Sequence, residues 1–403
     1  LVPRETLQAA ITLNSLGINV SRAIGPALAG ALIVGVGLYA PFALNAVSFV
    51  GILAVLAMWK PDKPPESPLP RERIGTAITA GLRYAAFSDP VRAILWRAAA
   101  FFAFASAFWA LLPLIAKVTL GGDARLYGIL VACVGAGAVG GAFLLPAIRR
   151  RAGGDWTVAY GTVGMALALG LLALTQDATL AAVAALIAGG AWIAVLSTLN
   201  ASAQMALPAW VRARGLSIFL TVFFGSMAAG SVAWGALAQR FGIPPTLAAA
   251  AAGAVLLIPL TAKARLGAAE TLDLAASMHW PAPVVQTAAA DARAPVMTLI
   301  TYRVAATEHA RFIAAMQGLK RARRRSGAYD WGLMQDGSDP DRFVEYFFDS
   351  TWLEHLRHHR RVSAADHALQ DRVGAFLQPG TQPRVEHLLN AAYAPGGVKP
   401  LRE

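Results

Sequence analysis

Long apolar runs alternate with short polar segments through the first two thirds of the chain, and a mainly polar segment follows them. Each run is long enough to cross a bilayer, because about 20 apolar residues span its hydrocarbon core. We count eight such runs, at residues 8–36, 41–59, 94–117, 126–148, 157–175, 179–204, 214–239 and 244–262. The pattern predicts an all-α polytopic membrane protein with eight transmembrane helices over residues 1–266, followed by a separate C-terminal domain.

The basic residues of the short connections fall mostly on one side of the predicted membrane. That side carries Arg4, Lys60, Lys63, Arg71, Arg73, Arg83, Arg92, Arg149, Arg150, Arg151, Arg212, Arg214, Lys263 and Arg265. The positive-inside rule makes it the cytoplasmic side. Because eight crossings return the chain to the side on which it began, the C-terminal domain is predicted to lie in the cytoplasm.

One connection, residues 60–93, is much longer than the others. Prolines make its first half an extended spacer, and Ile74, Ile78 and Leu82 then recur at helical spacing opposite Arg83. This spacing is typical of an amphipathic helix that lies on the inner leaflet. A long basic loop followed by six further spans is also typical of the seam between the two six-helix halves of a transporter.

Composition excludes a soluble protein and narrows the choice of partners. Hydrophobic residues make up 56% of the chain and charged residues 14%, which a soluble protein of 403 residues would not keep out of aggregates. The net charge of +12 does not indicate nucleic acid, because much of the basic excess lies in loops beside the spans. The single Cys133 excludes an internal disulfide, and all histidines follow residue 278, so the spans contain no imidazole metal site.

The polar segment is predicted to form a small α+β domain over residues 295–390, after a linker at 267–294 and before a short tail at 391–403. Its periods predict strands at 296–304, 329–335, 342–349 and 384–389, and helices at 308–325, 352–360 and 364–376. The order strand, helix, strand, strand, helix, strand is the ferredoxin-like pattern. The domain resembles the antibiotic biosynthesis monooxygenase-like fold through Trp331, Trp352 and residues 355–359, and the resemblance implies homodimers.

Three histidines of this domain lie at helical spacings of three and four, which could bind a metal ion: His355, His358 and His359. No carboxylate or cysteine clearly completes the set. Three arginines add positive charge around it: Arg357, Arg360 and Arg361. We therefore predict neither a metal nor a cofactor, and a dimerisation or regulatory role for the domain. The basic stretch 320–325 is expected to be a solvated helix end.

A glycine and proline motif marks the first apolar run. Gly25 and Gly30 permit close helix approach, and Pro26 removes a backbone hydrogen bond and bends the helix. With Gly17, these residues resemble the Gly-Pro motif of the fifth helix in antiporters of the major facilitator superfamily. The spacing departs from the fullest form of that motif, because Gly17 lies eight residues before Gly25. Ala29 stands where that motif has a glycine.

Residues 1–30 resemble the enterobactin-exporter-like, or transmembrane secretion effector, branch of that superfamily. The resemblance covers nearly the whole chain and implies twelve helices, so we expect a fragment that lacks about the first four; a genuine eight-span protein is the alternative. A second family motif is degenerate. Gly141 and the three arginines Arg149, Arg150 and Arg151 remain in its loop, but Leu145 and Pro146 stand where its Asp-Arg pair would be.

Polar residues at membrane depth are the candidates for substrate contact. Arg22 lies near the bilayer midplane, where it is expected either to face a cavity and its substrate or to lock two helices together. Five amides share this depth and serve as interhelical hydrogen-bonding groups or as ligands: Asn14, Asn19, Asn45, Asn200 and Gln204. Phe108 belongs to an aromatic-rich run and is expected to line an apolar cavity.

The resemblance implies a secondary-active, proton-coupled exporter of a small molecule such as a siderophore, a drug or a secondary metabolite, in the cytoplasmic membrane of a bacterium. The partners would be that substrate and the lipid bilayer, without nucleic acid. No Asp or Glu lies at membrane depth in the eight runs, although a proton-driven antiporter generally needs one. The alternative is a membrane-tethered oxygenase-like enzyme in which the C-terminal domain is catalytic.

Overall fold

The computed structural model describes residues 36–37, 39–59, 69–70, 72–267, 272–277, 279–280 and 295–390. The chain divides into two compact units. The membrane unit comprises Leu1–Glu66, Ile94–Ser202 and Thr221–Gly267, and the tail unit comprises Ser67–Ala93, Ala203–Leu220 and Ala268–Glu403. The predicted domain bounds stay a prediction, but among the described residues 72–93 and 203–220 cluster with the C-terminal domain and not with the membrane unit.

Helices account for all the described spans. They are α1 Ala40–Met58, α3 Asp89–Leu114, α4 Ala124–Leu174, α5 Ala178–Met205, α6 Arg212–Phe241 and α7 Ile243–Thr261, with α2 Ile74–Phe87 between the first two. All except α2 are long and apolar enough to cross a membrane, which makes six candidate spans among the described residues. A π-helical turn, Ile115–Thr119, continues α3 shortly after Pro113.

Helix α4 is too long for one crossing, and Gly153 divides it. The helix has 51 residues, and Gly153 has a φ of 75°, a left-handed value that favours glycine. Its two parts contain the predicted runs 126–148 and 157–175. Asp123 begins the helix by accepting hydrogen bonds from the backbone N–H groups of Arg125 and Leu126.

The first predicted run, 8–36, lies almost wholly outside the described residues, and so does its motif. The affected residues are Asn14, Gly17, Asn19, Arg22, Gly25, Pro26 and Gly30. The count of eight transmembrane helices and the role of Arg22 therefore stay predictions.

Two glycines let α4 and α5 approach until their backbones touch. A Cβ atom on Gly137 would overlap the carbonyl oxygen of Leu186, and one on Gly189 would overlap that of Val134. Gly141, predicted from sequence to belong to a loop motif, packs against Gly190 in the same contact. The hydrophobic effect is weak between helices in lipid. Small residues at such contacts let the helices associate through close van der Waals packing instead.

The tail unit contains a four-stranded antiparallel sheet. Strands β1 Val296–Arg303, β2 Asp330–Gln335, β3 Arg342–Asp349 and β4 Arg384–Leu389 lie in the order β2-β3-β1-β4. Three helices accompany them: α8 His309–Ser326, α9 Trp352–Arg361 and α10 Ala364–Gly374. The predicted order of strands and helices is present, with ends within two residues of the prediction. Alternate residues of β1 and β3 are buried, as expected of strands with one face on a core.

The core of the tail unit lies between α8 and the sheet. Phe312, Met316 and Leu319 form the buried face of α8, as predicted, and they pack with Phe343 and Phe347 of β3. Part of the predicted linker belongs to this fold as well. Ala276 forms a β-bridge with Ser363, and the indole of Trp280 donates a hydrogen bond to Gln370.

The predicted amphipathic helix exists as α2, and it packs against the tail domain. Tyr84 is buried, and the guanidinium of Arg83 donates a hydrogen bond to the carbonyl of Gly327. Ile74, Ile78 and Leu82 stay exposed, so the apolar face remains free to meet lipid. The position of this helix on a leaflet stays a prediction.

The basic stretch 320–325 is not a solvated helix end. Arg323 is only 3% exposed and pairs with Glu345 at 3.1 Å. Arg325 pairs with Asp366, and the guanidinium of Arg324 lies 5.6 Å from the centre of the Phe87 ring. The prediction was wrong because charge alone does not show that carboxylates on other elements face the same helix.

Glu72 holds together three segments of the tail unit. Its carboxylate accepts from Arg214 at 2.7 Å and from Arg361 at 2.8 Å, and the guanidinium of Arg361 also stacks on Trp210 at 4.6 Å. Burial opposes ionisation of Glu72, but the hydrogen bond to Arg361 and the charges of Arg361, Arg214 and Arg357 together lower the pKa of the carboxyl. Residues 69–93 and 203–220 are thereby tied to α9.

We expect Glu72→Ala to destabilise the tail unit by about 1–3 kcal/mol, because it removes the carboxylate that both Arg214 and Arg361 bond to. Arg361 is nearly buried, so its guanidinium cannot recover full hydration. Thermal unfolding of the purified chain in detergent measures the effect. Glu308→Ala is the control, since it removes only the exposed pair with Arg311 and should change little. Equal effects of the two variants would contradict this assignment.

Candidate functional site

Aromatic rings from three helices pack in the interior of the membrane unit. Phe102 of α3 lies 5.3 Å from Trp192 of α5 and 4.4 Å from Phe223 of α6, measured between ring centres. Trp109 of α3 lies 5.5 Å from Trp192. Edge-to-face pairs of this kind stabilise beyond the area that they bury.

The residues predicted to line a transport cavity have different surroundings. Phe108 is fully buried and packs on Trp109, whereas Asn45 and Asn200 are exposed on their helices. Gln204 is half-buried and clusters with the tail unit. The arginines of the predicted loop, Arg149, Arg150 and Arg151, lie at the end of the first part of α4. Of the predicted cavity residues that the structure describes, only Phe108 is an interior residue of the membrane unit, and a substrate role for Asn45, Asn200 and Gln204 stays a prediction.

Besides Nε of Arg97, whose guanidinium is otherwise paired, three buried polar groups of the membrane unit have no hydrogen-bond partner within the described part of the chain. They are the indole N–H of Trp109 and the hydroxyls of Thr198 and Ser202. A buried polar group without a partner costs about 1–3 kcal/mol, so a bound molecule or water would be stabilised beside it. The sequence analysis missed the two hydroxyls, because serine and threonine inside an apolar run commonly bond to their own helix.

One ion pair ties three segments of the membrane unit together. Arg97 of α3 pairs with Asp155, just after the break at Gly153, at 3.0 Å. The same carboxylate accepts a hydrogen bond of 2.9 Å from the backbone N–H of Leu266, after α7. Arg97 is 6% exposed, so this charge is held in the interior by its single acidic partner among the described residues.

The tail unit contains a pocket of about 440 Å³. Its lining is mainly apolar and aromatic, with a few convergent polar groups, which is the usual composition of a small-molecule site. The polar and aromatic residues of the lining include Trp280, Tyr302, Arg323, His355, His359 and His387. Trp280 comes from the predicted linker, Tyr302 and His387 from strands, and the others from helices.

Glu345 organises one wall of this pocket. Its carboxylate accepts hydrogen bonds from Tyr302 at 2.7 Å, from Trp331 at 2.8 Å and from Arg323 at 3.1 Å. Glu345 is 0% exposed, so every partner is desolvated with it. Burial and the adjacent carboxylate raise the pKa of Tyr302 well above its usual value, and the phenol stays protonated. Burial alone would lower the pKa of Arg323, but the charge of Glu345 raises it.

Three histidines that also line the pocket lie close together. His355 and His359 lie on one face of α9, and β4 adds His387, so that one ligand nitrogen of each lies within 4.8 Å of the others. The Nε2 atoms of His355 and His359 are 3.1 Å apart. Asp349, at the end of β3, accepts from Nδ1 of His355 at 2.8 Å and from Nδ1 of His358 at 3.1 Å.

Burial keeps two of these imidazoles neutral. It lowers the pKa of His359 to about 3 and that of His387 to about 4, and the neighbouring histidine rings add to the effect. Burial lowers the pKa of His358 as well. The carboxyl of Asp349 has a lowered pKa despite its burial, because two imidazoles face it. A neutral imidazole beside an ionised carboxylate is the form that accepts protons or coordinates metals.

The sequence analysis identified His355 and His359 but missed the residues that complete the cluster. His387 and Asp349 lie on strands, and their side chains reach α9 only because β4 and β3 flank β1. Two of the three arginines expected to crowd the cluster bond elsewhere: Arg357 donates to the carbonyl of Pro70 and Arg361 to Glu72. One signal in the sequence could have indicated His387. It lies two residues after Val385, so both side chains are on the same face of the strand, and both line the pocket.

A family model described as "transmembrane secretion effector" matches residues 1–394 of the chain. No curated protein matches the chain.

Proposed function

Because the chain belongs to the transmembrane secretion effector family of the major facilitator superfamily, and is thus a membrane transporter, we propose that it exports a small amphipathic molecule by a proton-coupled cycle. The family match over residues 1–394 carries this proposal, and the six long apolar helices agree with it. A siderophore, a drug or a secondary metabolite fits the class of substrate. We place the protein in a bacterial cytoplasmic membrane, with the tail unit in the cytoplasm.

The interior of the membrane unit supports a substrate that is largely apolar. At the centre of this interior lies a cluster of aromatic rings around Phe102 and Trp192. Among the described residues, few buried polar groups of the membrane unit lack a hydrogen-bond partner. The tie between Arg97 and Asp155 would hold one conformation of the transporter and break in the other, as alternating access requires packed elements with two arrangements.

Transport in inverted membrane vesicles tests the proposal. The full-length gene product should accumulate a fluorescent amphipathic cation, such as ethidium, while a proton gradient is maintained. Collapsing the gradient with an uncoupler should abolish accumulation, and ATP should have no effect once the gradient is fixed. Transport that persists without the gradient, or that needs ATP, would exclude the proposed energy source.

Arg22→Ala is expected to reduce transport at least about tenfold with the amount of membrane protein unchanged, because a midplane charge is normally retained for function. Gly25→Leu should reduce it as well, by preventing close helix approach. Arg125→Ala is the control, since this arginine is exposed in the first turn of α4 and belongs to none of the predicted motifs. The measurement is initial transport rate per amount of inserted protein. A wild-type rate for Arg22→Ala would show that this arginine has no part in transport.

The pocket of the tail unit favours a second function, a membrane-tethered enzyme of the oxygenase-like kind. We propose that residues 295–390 form a ferredoxin-like domain of the monooxygenase type, supported by the strand order and by a pocket of about 440 Å³. Homodimerisation of this domain belongs to the same proposal. Cross-linking of the intact protein in membranes tests it.

Two matched substitutions separate the functions. Val385→Trp fills the pocket from β4, whereas Leu388→Trp adds the same ring on the same strand at a residue outside the pocket lining and is equally exposed, at 49%. If the tail unit is accessory, both variants export ethidium at the wild-type rate. If the pocket is required for export, only Val385→Trp lowers the rate of ethidium export.

A further inference from the structure

We propose that His355, His359 and His387 bind one divalent transition-metal ion in the tail unit. One ligand nitrogen of each lies within 4.8 Å of the other two. In a tetrahedral site with metal–nitrogen bonds of about 2.0–2.1 Å, ligand nitrogens lie about 3.3 Å apart. The Nε2 atoms of His355 and His359 already lie 3.1 Å apart, so seating an ion mainly requires that the nitrogen of His387 move inward from its present separation of up to 4.8 Å.

The orientation of His355 is set by its second nitrogen. Nδ1 donates to Asp349 at 2.8 Å, which leaves the lone pair on Nε2 and directs it at Nε2 of His359. A carboxylate behind a ligating imidazole is the usual support of a metal-binding histidine, because it fixes the tautomer and raises ligand basicity. Asp349 is fully buried and is held in turn by His358.

The surrounding charge permits a cation. Arg323 lines the same pocket, but its charge is balanced by Glu345 at 3.1 Å. Arg361 is balanced by Glu72 and Glu354. Among the described residues, Asp349 therefore supplies the unbalanced charge nearest to the histidine cluster, and that charge is negative. Three imidazole side chains with one buried carboxylate behind them suit an ion of charge +2.

The donor set indicates the class of metal. Three imidazoles favour zinc, iron, cobalt, nickel or copper, whereas magnesium and calcium prefer oxygen ligands. Three protein ligands leave a fourth position open, as in catalytic rather than structural zinc sites. Because all three histidines line the pocket of about 440 Å³, a water or the donor atom of a small molecule in the pocket can take that position.

The site is independent of export and of the proposed enzyme function, so its test needs neither activity. The chain is purified in detergent, stripped with a chelator and titrated with CoCl2, whose visible absorption reports four-coordinate geometry. We expect one Co²⁺ per chain, intense bands in the visible range, and displacement by ZnCl2. The unfolding temperature should rise with Zn²⁺ because the ion binds only the folded state.

Substitutions assign the ligands. His387→Gln and His359→Gln should each weaken Co²⁺ binding at least about 100-fold, and both residues are half-buried, so the fold should tolerate the change. His367→Gln is the matched control, since this histidine of α10 is 45% exposed and lies outside the cluster. Asp349→Asn should weaken binding about 10–100-fold as a positioning effect. Circular dichroism confirms that each variant is folded.

The outcomes separate cleanly. Stoichiometric Co²⁺ binding that is lost in the two cluster variants and kept in His367→Gln supports the site. Absence of stoichiometric binding to the wild-type chain overturns it. Binding that survives in folded His387→Gln, or that falls equally in His367→Gln, also overturns it.

Discussion

Replacing Gly137 or Gly189 by alanine is expected to prevent correct packing of α4 against α5 and to remove most folded protein from the membrane. Each added Cβ would overlap a backbone carbonyl oxygen, that of Leu186 or of Val134, and a backbone atom inside a helix cannot turn aside as a side chain can. Overpacking costs about 1–3 kcal/mol even where side chains adjust, so a backbone clash should cost at least the upper value. Loss of transport should follow loss of the folded state.

Gly140→Ala provides the control on the same helix. A Cβ on Gly140 meets no atom within 4 Å, and alanine favours helix over glycine by about 1 kcal/mol. This variant should be as stable as the wild type or more stable. Size-exclusion profiles and unfolding temperatures in detergent measure all three. Monodisperse, wild-type-like behaviour of Gly137→Ala would show that the helices are further apart than described here.

Glu345→Ala is expected to unfold the sheet of the tail unit locally or wholly. The change leaves Arg323, 3% exposed, as an uncompensated buried charge, and it removes the acceptor of Tyr302 and Trp331. Breaking a buried pair by deleting one partner costs about 3–5 kcal/mol, a large part of the stability of a small domain. Glu345→Gln should cost less, because the amide oxygen still accepts hydrogen bonds.

Hydrogen exchange of β3 amides in the intact protein measures this effect without disturbing the membrane unit. At about 1.4 kcal/mol per tenfold change, protection in β3 should fall by two to three orders of magnitude. Glu386→Ala is the control on neighbouring β4, because that carboxylate is 41% exposed and pairs with an exposed arginine. Its protection should stay within a few fold of the wild type. Unchanged protection in Glu345→Ala would mean that Arg323 finds water or another anion.

Much of the secondary structure was predictable from the sequence, for reasons that lie in single elements. A helix that crosses lipid must be apolar over about 20 residues, so α1 and α7 are visible as runs. Strands with one buried face alternate, and β3 Arg342–Asp349 and β4 Arg384–Leu389 therefore begin and end where the period predicts. Asp349 and His387 were visible as residues, but nothing in their spacing showed that they share a site.

Predictions that depend on contacts between distant segments of the chain were less accurate. The basic stretch of α8 was expected in solvent, but Arg323 and Arg325 meet the carboxylates of Glu345 and Asp366. Residues 67–93 were expected to belong to the membrane part and cluster with the tail unit instead. Ion pairs between distant segments leave no periodic signal, because each requires only one charge on each element.

The sequence by itself determined that the chain is a polytopic helical membrane protein with an α+β tail, because bilayer thickness and strand pleat impose local periods on the residues. Only the tertiary structure decided which side chains share a site. His387 reaches His355 and His359 through the pairing of β4 with β1, and Asp349 through the pairing of β3 with the same strand. Sheet pairing brings together residues far apart in the chain, and no local pattern encodes the distance between their side chains.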